Sequence, residues 1–177
     1  MSFHHLALAT RDIEATHRFY TEVMGFDLAK VVVGETAEGG WARHVFYDTH
    51  QGGLMAFWDI HDGEDQKLDG FDPSISRGLG LPVWTNHIAF DAPTLDDLDV
   101  MKRRWLDHGE TVAEIDHGWC TSIYTTDPNG IMVEFCTSTR VLDEQDRAEA
   151  EALLFATRPA LEETPDVVIH EPTKAPA

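Results

Sequence analysis

His5, His87 and Glu134 are the side chains whose types and placement could hold a metal ion. The two histidines open like segments, His5-Leu6-Ala7-Leu8 and His87-Ile88-Ala89-Phe90, and Glu134 lies on the last strand-like segment after the second. Two neutral imidazoles and one carboxylate leave open coordination positions, a facial set that suits non-haem Fe(II) and also accommodates Mn(II) or Zn(II). Aligning Gly53-Leu54-Met55-Ala56-Phe57 with Gly130-Ile131-Met132-Val133-Glu134 places Phe57 opposite the glutamate, so a fourth protein ligand is not expected. Taken singly, a histidine is more often a surface or core group, and His4, His17, His44, His50, His61, His108 and His170 are read that way.

Glu134 sits in an apolar run, Ile131-Met132-Val133-Glu134-Phe135, where an unpaired charge would be costly. By itself the run is equally compatible with an edge strand whose glutamate meets water. Asp127-Pro128-Asn129-Gly130 has the composition of a type I turn closed by a left-handed glycine, the centre of a hairpin. A three-residue loop pairs Asp127 with Ile131 and sets Tyr124 opposite Glu134; a two- or four-residue loop would shift the register by one and move them to opposite faces. A phenol and a carboxylate are therefore expected to project together.

The elements that must carry these groups repeat. A strand from Phe3 leads to an Asp12-capped helix with Ile13, Phe19, Tyr20, Val23 and Met24 on one stripe, stopping at Gly25. Strands follow at 26–33, 41–47 and 54–60. From Trp84 the order recurs: a strand, a Thr94-capped helix ending at Gly109, then strands near 111–115, 120–126 and 131–137. Such internal repetition is the strongest architectural signal in the chain. The expected organisation is α+β: a first βαβββ module over 1–60, a linker or loop at 61–83, a second module over 84–139, and a C-terminal part at 140–177. That last part is read as an amphipathic helix over 142–157, packed on the domain or a neighbouring subunit, followed by an extended proline-rich tail without chemistry.

The net charge of −19 argues against nucleic acid and anionic membranes as partners. No apolar run reaches membrane-spanning length, and Met1 leads almost at once into a strand rather than a signal or transit peptide. Cys120 and Cys136 fit no paired framework, which makes a reducing cytoplasm the expected compartment.

The paired modules with His5, His87 and Glu134 resemble the vicinal oxygen chelate superfamily of extradiol dioxygenases, glyoxalase I, epimerases and bleomycin-resistance proteins. Within it, His117, Ile123-Tyr124, Asp127-Pro128-Asn129-Gly130 and Glu134 look like the signature of the type I extradiol ring-cleavage dioxygenases, here in a short two-module form. The resemblance implies a cupped mixed sheet around a metal site and Fe(II) on His5, His87 and Glu134. It also implies Tyr124 and His117 beside an aromatic diol, O2 as co-substrate, and homo-oligomers. The familiar extradiol enzymes have four modules, and their further acid–base histidine has no clear counterpart; His50 and His61 are candidates. Trp41, Phe57, Trp58 and Trp119 are read either as an aromatic pocket or as ordinary core. Two rivals remain open: a glyoxalase-like lyase, isomerase or epimerase, which would want a fourth ligand, and a non-catalytic binding protein, which would not need the metal set.

Overall fold

Asp12 separates the first strand, β1 (His5–Thr10), from the first helix, α1 (Ile13–Arg18), its carboxylate accepting from the Ala15 amide at 2.9 Å. The computed structural model describes residues 3–62, 70–161 and 163–172. The helix does not run on to Gly25 as one α-helix: it widens into a π-helical turn, Phe19–Val23, before Gly25 takes φ 77°. Widening turns Phe19, Tyr20, Val23 and Met24 together onto the sheet, where all four are buried.

Three strands complete the first sheet: β2 (Asp27–Glu35), β3 (Trp41–Asp48) and β4 (Leu54–His61), in the order β1-β4-β3-β2 with β1 and β4 parallel. A short helix α2 (Ile75–Gly78) and a 3-10 turn (Val83–Thr85) lead to β5 (His87–Asp91). Residues 63–69, within the expected linker, and 173–177, within the expected tail, lie outside the described residues. Thr94 caps α3 (Leu95–Asp107) as expected, and β6 (Val112–Asp116), β7 (Cys120–Thr126) and β8 (Met132–Ser138) follow. The order β5-β8-β7-β6 repeats that of the first sheet, again with its outer pair, β5 and β8, parallel.

One core joins both halves. Tyr47, Met55 and Phe57 of the first sheet, the α1 side chains, Leu98 and Trp105 of α3, and Val112, Ile123 and Val133 of the second sheet form a single cluster. Phe26 meets Phe90 edge-on across the two halves at 5.1 Å. Burying such aromatic side chains is the main favourable term holding the halves together. Below it runs a polar clamp. The Tyr20 hydroxyl donates to Asp127 at 3.1 Å, and the Asn129 side-chain amide donates to Thr16 at 3.1 Å. Asp127 also accepts from the Asn129 and Ile131 amides, so the turn's own acid ties the first helix to the second hairpin. Burial raises the Asp127 carboxyl above its ordinary value despite these donors, and burial with Asp127 nearby raises the Tyr20 phenol.

The C-terminal part differs from the sequence expectation. Helix α4 (Glu144–Leu154) is shorter than 142–157, and none of its residues is buried. Its first turn is held by an Asp143–Asp146 capping box and the Arg140–Asp146 ion pair, so local capping forms it without packing. Val167–His170 is not free tail but a strand, β9, antiparallel to β6 at the edge of the second sheet. No helix among the described residues is long and apolar enough to cross a membrane.

Candidate metal and substrate site

The turn at Asp127 sets the register on which the site depends. The Asp127 amide donates to the Ile131 carbonyl at 2.9 Å and Gly130 takes φ 74°, which closes the three-residue loop. Tyr124 consequently stands opposite Glu134, as the turn chemistry predicts. A Cβ at Gly130 would also collide with the guanidinium of Arg77, so α2 packs directly on this turn, and Ser74 donates to the Gly130 carbonyl at 2.7 Å.

Parallel pairing with β5 brings His87 to the same face: His87 pairs with Met132 and Ala89 with Glu134. The His87 Nε2 lies 3.2 Å from Glu134 Oε2, and its Nδ1 meets the Trp84 carbonyl at 2.9 Å. A backbone carbonyl on one ring nitrogen is what orients a metal-binding imidazole and leaves the other nitrogen to the ion. Glu134 is 5% exposed, so of the two readings of its apolar run the one with a carboxylate in water on an edge strand does not hold.

Tyr124 and His117 extend this row towards the surface, with His117 Nε2 3.1 Å from the Tyr124 hydroxyl. His117 is presented by the β6–β7 turn, where Gly118 takes φ 80°. Burial, with Glu134 adding to it, pushes the Tyr124 phenol up to about 12 although a hydrogen bond with Ser122 acts the other way. Tyr124 is therefore a neutral donor across the physiological range. Cys120 and Cys136, on the same face, are free thiols, and burial together with Cys136 pushes the Cys120 thiol up to about 11.

His5 stands apart from this group, on the first sheet. Its Nδ1 meets His4 Nδ1 at 2.8 Å, and its ring lies edge-on to His44 at 5.9 Å and Phe46 at 5.5 Å. Among the described residues no set of three or more His, Cys, Asp or Glu side chains is gathered closely enough to hold an ion. Of the five expected site residues, His87, Glu134, Tyr124 and His117 come together, and His5 does not join them in this conformation. The two histidines are held at Nδ1, His87 by the Trp84 carbonyl and His5 by His4, while the His87 Nε2 faces Glu134.

The fourth-ligand comparison needs correcting by one residue. Thr49 donates to the Gly53 carbonyl as Asp127 does to that of Ile131, and Gly52 has φ 80° where Gly130 has 74°. Gly52, not Gly53, is thus the counterpart of Gly130. Since His5 pairs with Leu54 and Ala7 with Ala56, the residue matching Glu134 is Ala56. Phe57 points into the core against Tyr20, 4.7 Å between rings, and is no pocket residue. Ala56 offers no fourth ligand, because it carries no carboxylate.

The surrounding aromatics divide likewise. Trp58 stacks on His44 at 3.9 Å, on the face that carries His5, whereas Trp41 stacks on His61 at 4.0 Å. His61 also pairs with Asp59 at 3.0 Å and His50 with Asp27 at 3.6 Å, so both belong to the first sheet's surroundings rather than to Tyr124's. His44 was read as ordinary from the sequence. Its position opposite Trp58 on β3 makes it the imidazole beside His5, with its pKa lowered by burial and by His5. Strict alternation along β3 was the signal that could have found it.

The model of the glyoxalase/bleomycin resistance protein/dioxygenase superfamily matches residues 2–135, the span from β1 to β8 that bears every one of these groups. The chain belongs to that superfamily. Biphenyl-2,3-diol 1,2-dioxygenase 3 of Rhodococcus globerulus is 31% identical over 137 residues, which are 73% of this chain and 60% of that protein. The chain thus spans less than two thirds of that relative's length. Among solved structures, a glyoxylase/bleomycin resistance protein/dioxygenase domain from Frankia sp. EAN1pec aligns with a TM-score of 0.55 at 19% identity, covering 78% of this chain and 98% of that one. TnmS3, an antibiotic binding protein from Streptomyces sp. CB03234, aligns with a TM-score of 0.52 at 15% identity over 78% of this chain and 97% of its own. These two likenesses concern the superfamily fold. β9 lies beyond the residues that the superfamily model matches.

Proposed function

We propose that this superfamily member is an Fe(II)-dependent extradiol dioxygenase that opens the ring of an aromatic vicinal diol. The observation that carries the reading is the row His87–Glu134–Tyr124–His117 on one face of the second sheet, with alanine at the matching position of the first. The name of the Rhodococcus relative supports the same chemistry. His5, His87 and Glu134 are the residues that would hold the metal. A ferrous ion, when bound, would supply Lewis acidity to the diol and a path for the diol's electrons to O2, and three protein ligands would leave room for both.

The chain's own groups do the rest. Glu134 and the Nε2 atoms of the two histidines would face the substrate's oxygens through that ion. Tyr124, held protonated by burial, donates a hydrogen bond to a substrate oxygen. His117, in contact with the same hydroxyl, passes the proton to or from the surface. A fourth protein ligand is what the lyase, isomerase and epimerase rivals would want, and Ala56 does not supply it. Homo-oligomeric assembly and a cytoplasmic location belong to the same reading.

The test is anaerobic loading with Fe(II), addition of catechol or a 3-substituted catechol, then O2. One O2 should be consumed per ring with a yellow ring-opened product. Tyr124→Phe should keep its iron and its diol affinity while turnover falls about 10- to 100-fold, the worth of one positioned hydrogen-bonding or acid–base group. An absence of O2 uptake across a broad diol panel, with iron bound and ferrous, would overturn the proposal.

A further inference from the structure

The C-terminal strand β9 reaches the same face as Tyr124. Across the second sheet Glu134 pairs with Tyr124, Tyr124 with Ala113 and Ala113 with Ile169, so these four side chains form one row on four neighbouring strands. Adjacent strands lie about 4.8 Å apart, which puts Ile169 roughly 10 Å from Tyr124 with only a methyl group between them. The result is an open trough: a cavity of about 500 Å³ bordered by Tyr124, Ala113, Met132 and Ile169, and by the polar side chains of Thr126 and Glu110.

β9 is held so that its two faces do different work. His170 Nε2 lies 2.7 Å from Glu114 Oε2, and Glu114 also receives Lys102 of α3 at 2.9 Å. Thr111 donates to Glu171 at 3.2 Å just beyond the strand. The contacts of His170 and Lys102 with Glu114 fix that face of β9 against the helix side of the sheet, and alternation then commits Ile169 to the trough.

We propose that the trough is the subsite for the substrate's ring substituent, with Ile169 as its specificity-determining wall and an uncharged aryl or alkyl group as its occupant. The inference rests on the dioxygenase reading for the identity of the diol, but not for the subsite itself. Ala113, Met132 and Ile169 offer aliphatic surface, and Ala113 is small enough to let a flat group lie between its taller neighbours. Glu110 at the trough's border, in a chain of net charge −19, opposes a carboxylated substituent.

The experiment measures anaerobic affinities of the full chain, metal-free and iron-loaded, for catechol and for 3-phenylcatechol, by titration calorimetry. The wild type should prefer the phenyl-bearing diol, and Ile169→Trp, which fills the trough, should lower that preference about tenfold. Ala113→Leu fills the same trough from its floor and replaces Ile169→Trp should the latter fail to fold. The Ile169 methyl resonance should shift with 3-phenylcatechol and stay in place with catechol. A preference altered less than about threefold by both variants, or a methyl signal blind to the phenyl group, overturns the subsite. Should the wild type take up no O2 with any diol while the preference still falls in the variants, the dioxygenase reading fails and the subsite stands. Uptake of O2 with an unaltered preference gives the reverse.

Discussion

Two residues beyond the first-strand histidine, the parallel neighbour is Ala56 in the first sheet and Glu134 in the second. Around that difference the two faces diverge. The first carries His5, His44, Phe46 and Trp58, a set of rings in edge and stacked contact. The second carries His87, Glu134, Tyr124, Ser122 and two thiols, and it alone gains a fifth strand. The same backbone thus supports an aromatic shelf in one half and a polar row in the other. On the second face the buried carboxylate of Glu134 has an imidazole at 3.2 Å and a phenol opposite to offset its desolvation. Duplication gives two copies of the scaffold, and the site needs the acid in only one.

The sharpest way to break this comparison is to erase its one carboxylate. Glu134→Ala should abolish stoichiometric iron after anaerobic loading, read by metal analysis, while circular dichroism stays native. Retained iron would remove Glu134 from the metal set. The converse variant, Ala56→Glu, gives the first sheet the acid it lacks. Ala56 is fully buried and stands opposite Phe46, where Glu134 stands opposite Tyr124, so even with the His5 imidazole on the same face the metal-free protein should lose about 3 kcal/mol in denaturant unfolding. The loss should shrink at acid pH as the new carboxyl is protonated. A neutral effect would mean that the two faces are closer in character than their residues imply.

Asp127→Ala attacks what the halves share. It strips the acceptor from Tyr20 and from the turn amides, and should cost about 3 kcal/mol, lowering the melting temperature by about 6–12 °C. A smaller shift would mean that the aromatic core alone joins the halves.

The smallest effect concerns the strand that only the second sheet possesses. Burial would raise Glu114, but hydrogen bonds from Lys102 and His170 outweigh it, and the carboxyl ends below its ordinary value. A depressed carboxyl stabilises the fold above its unfolded pKa and loses that contribution as pH falls through the lower, folded value. Protection of the Val168 and His170 amides against hydrogen exchange should therefore persist through the ordinary carboxylate range and fade only below it. Glu114→Gln should weaken that protection at neutral pH by about 1 kcal/mol. Protection unchanged by the substitution would show that backbone pairing alone holds β9.

Local chemistry was legible in the chain. Asp-Pro-Asn-Gly was enough to set Tyr124 opposite Glu134, because a turn's loop length dictates register within a few residues. Asp12 and Thr94 marked their helices because a cap needs only the next turn's amides. The repeat of strand order followed from patterning alone. Aligning glycine with glycine, however, slipped the first copy by one residue and offered Phe57 for Ala56, since only backbone conformation distinguishes Gly52 from Gly53.

What tertiary structure decided depends on partners far apart in sequence. Val167–His170 is an unremarkable apolar run until β6 offers it an edge, and Ile169 faces the site only because that pairing has one register. Asp127 belongs to a turn by composition, yet its contact with Tyr20 spans 107 residues and makes it the clamp between the halves. His44 becomes His5's neighbour only through strand pairing, and α4 is held by its own capping box and the Arg140–Asp146 ion pair. Sequence by itself determined the repeated module, through short-range conformational preferences, and named the residues of the proposed metal set by their types. Which of those residues meet on one face, and which strand walls them in, was left to packing and hydrogen-bond pairing across the fold, because those energies exist only once distant segments are brought together.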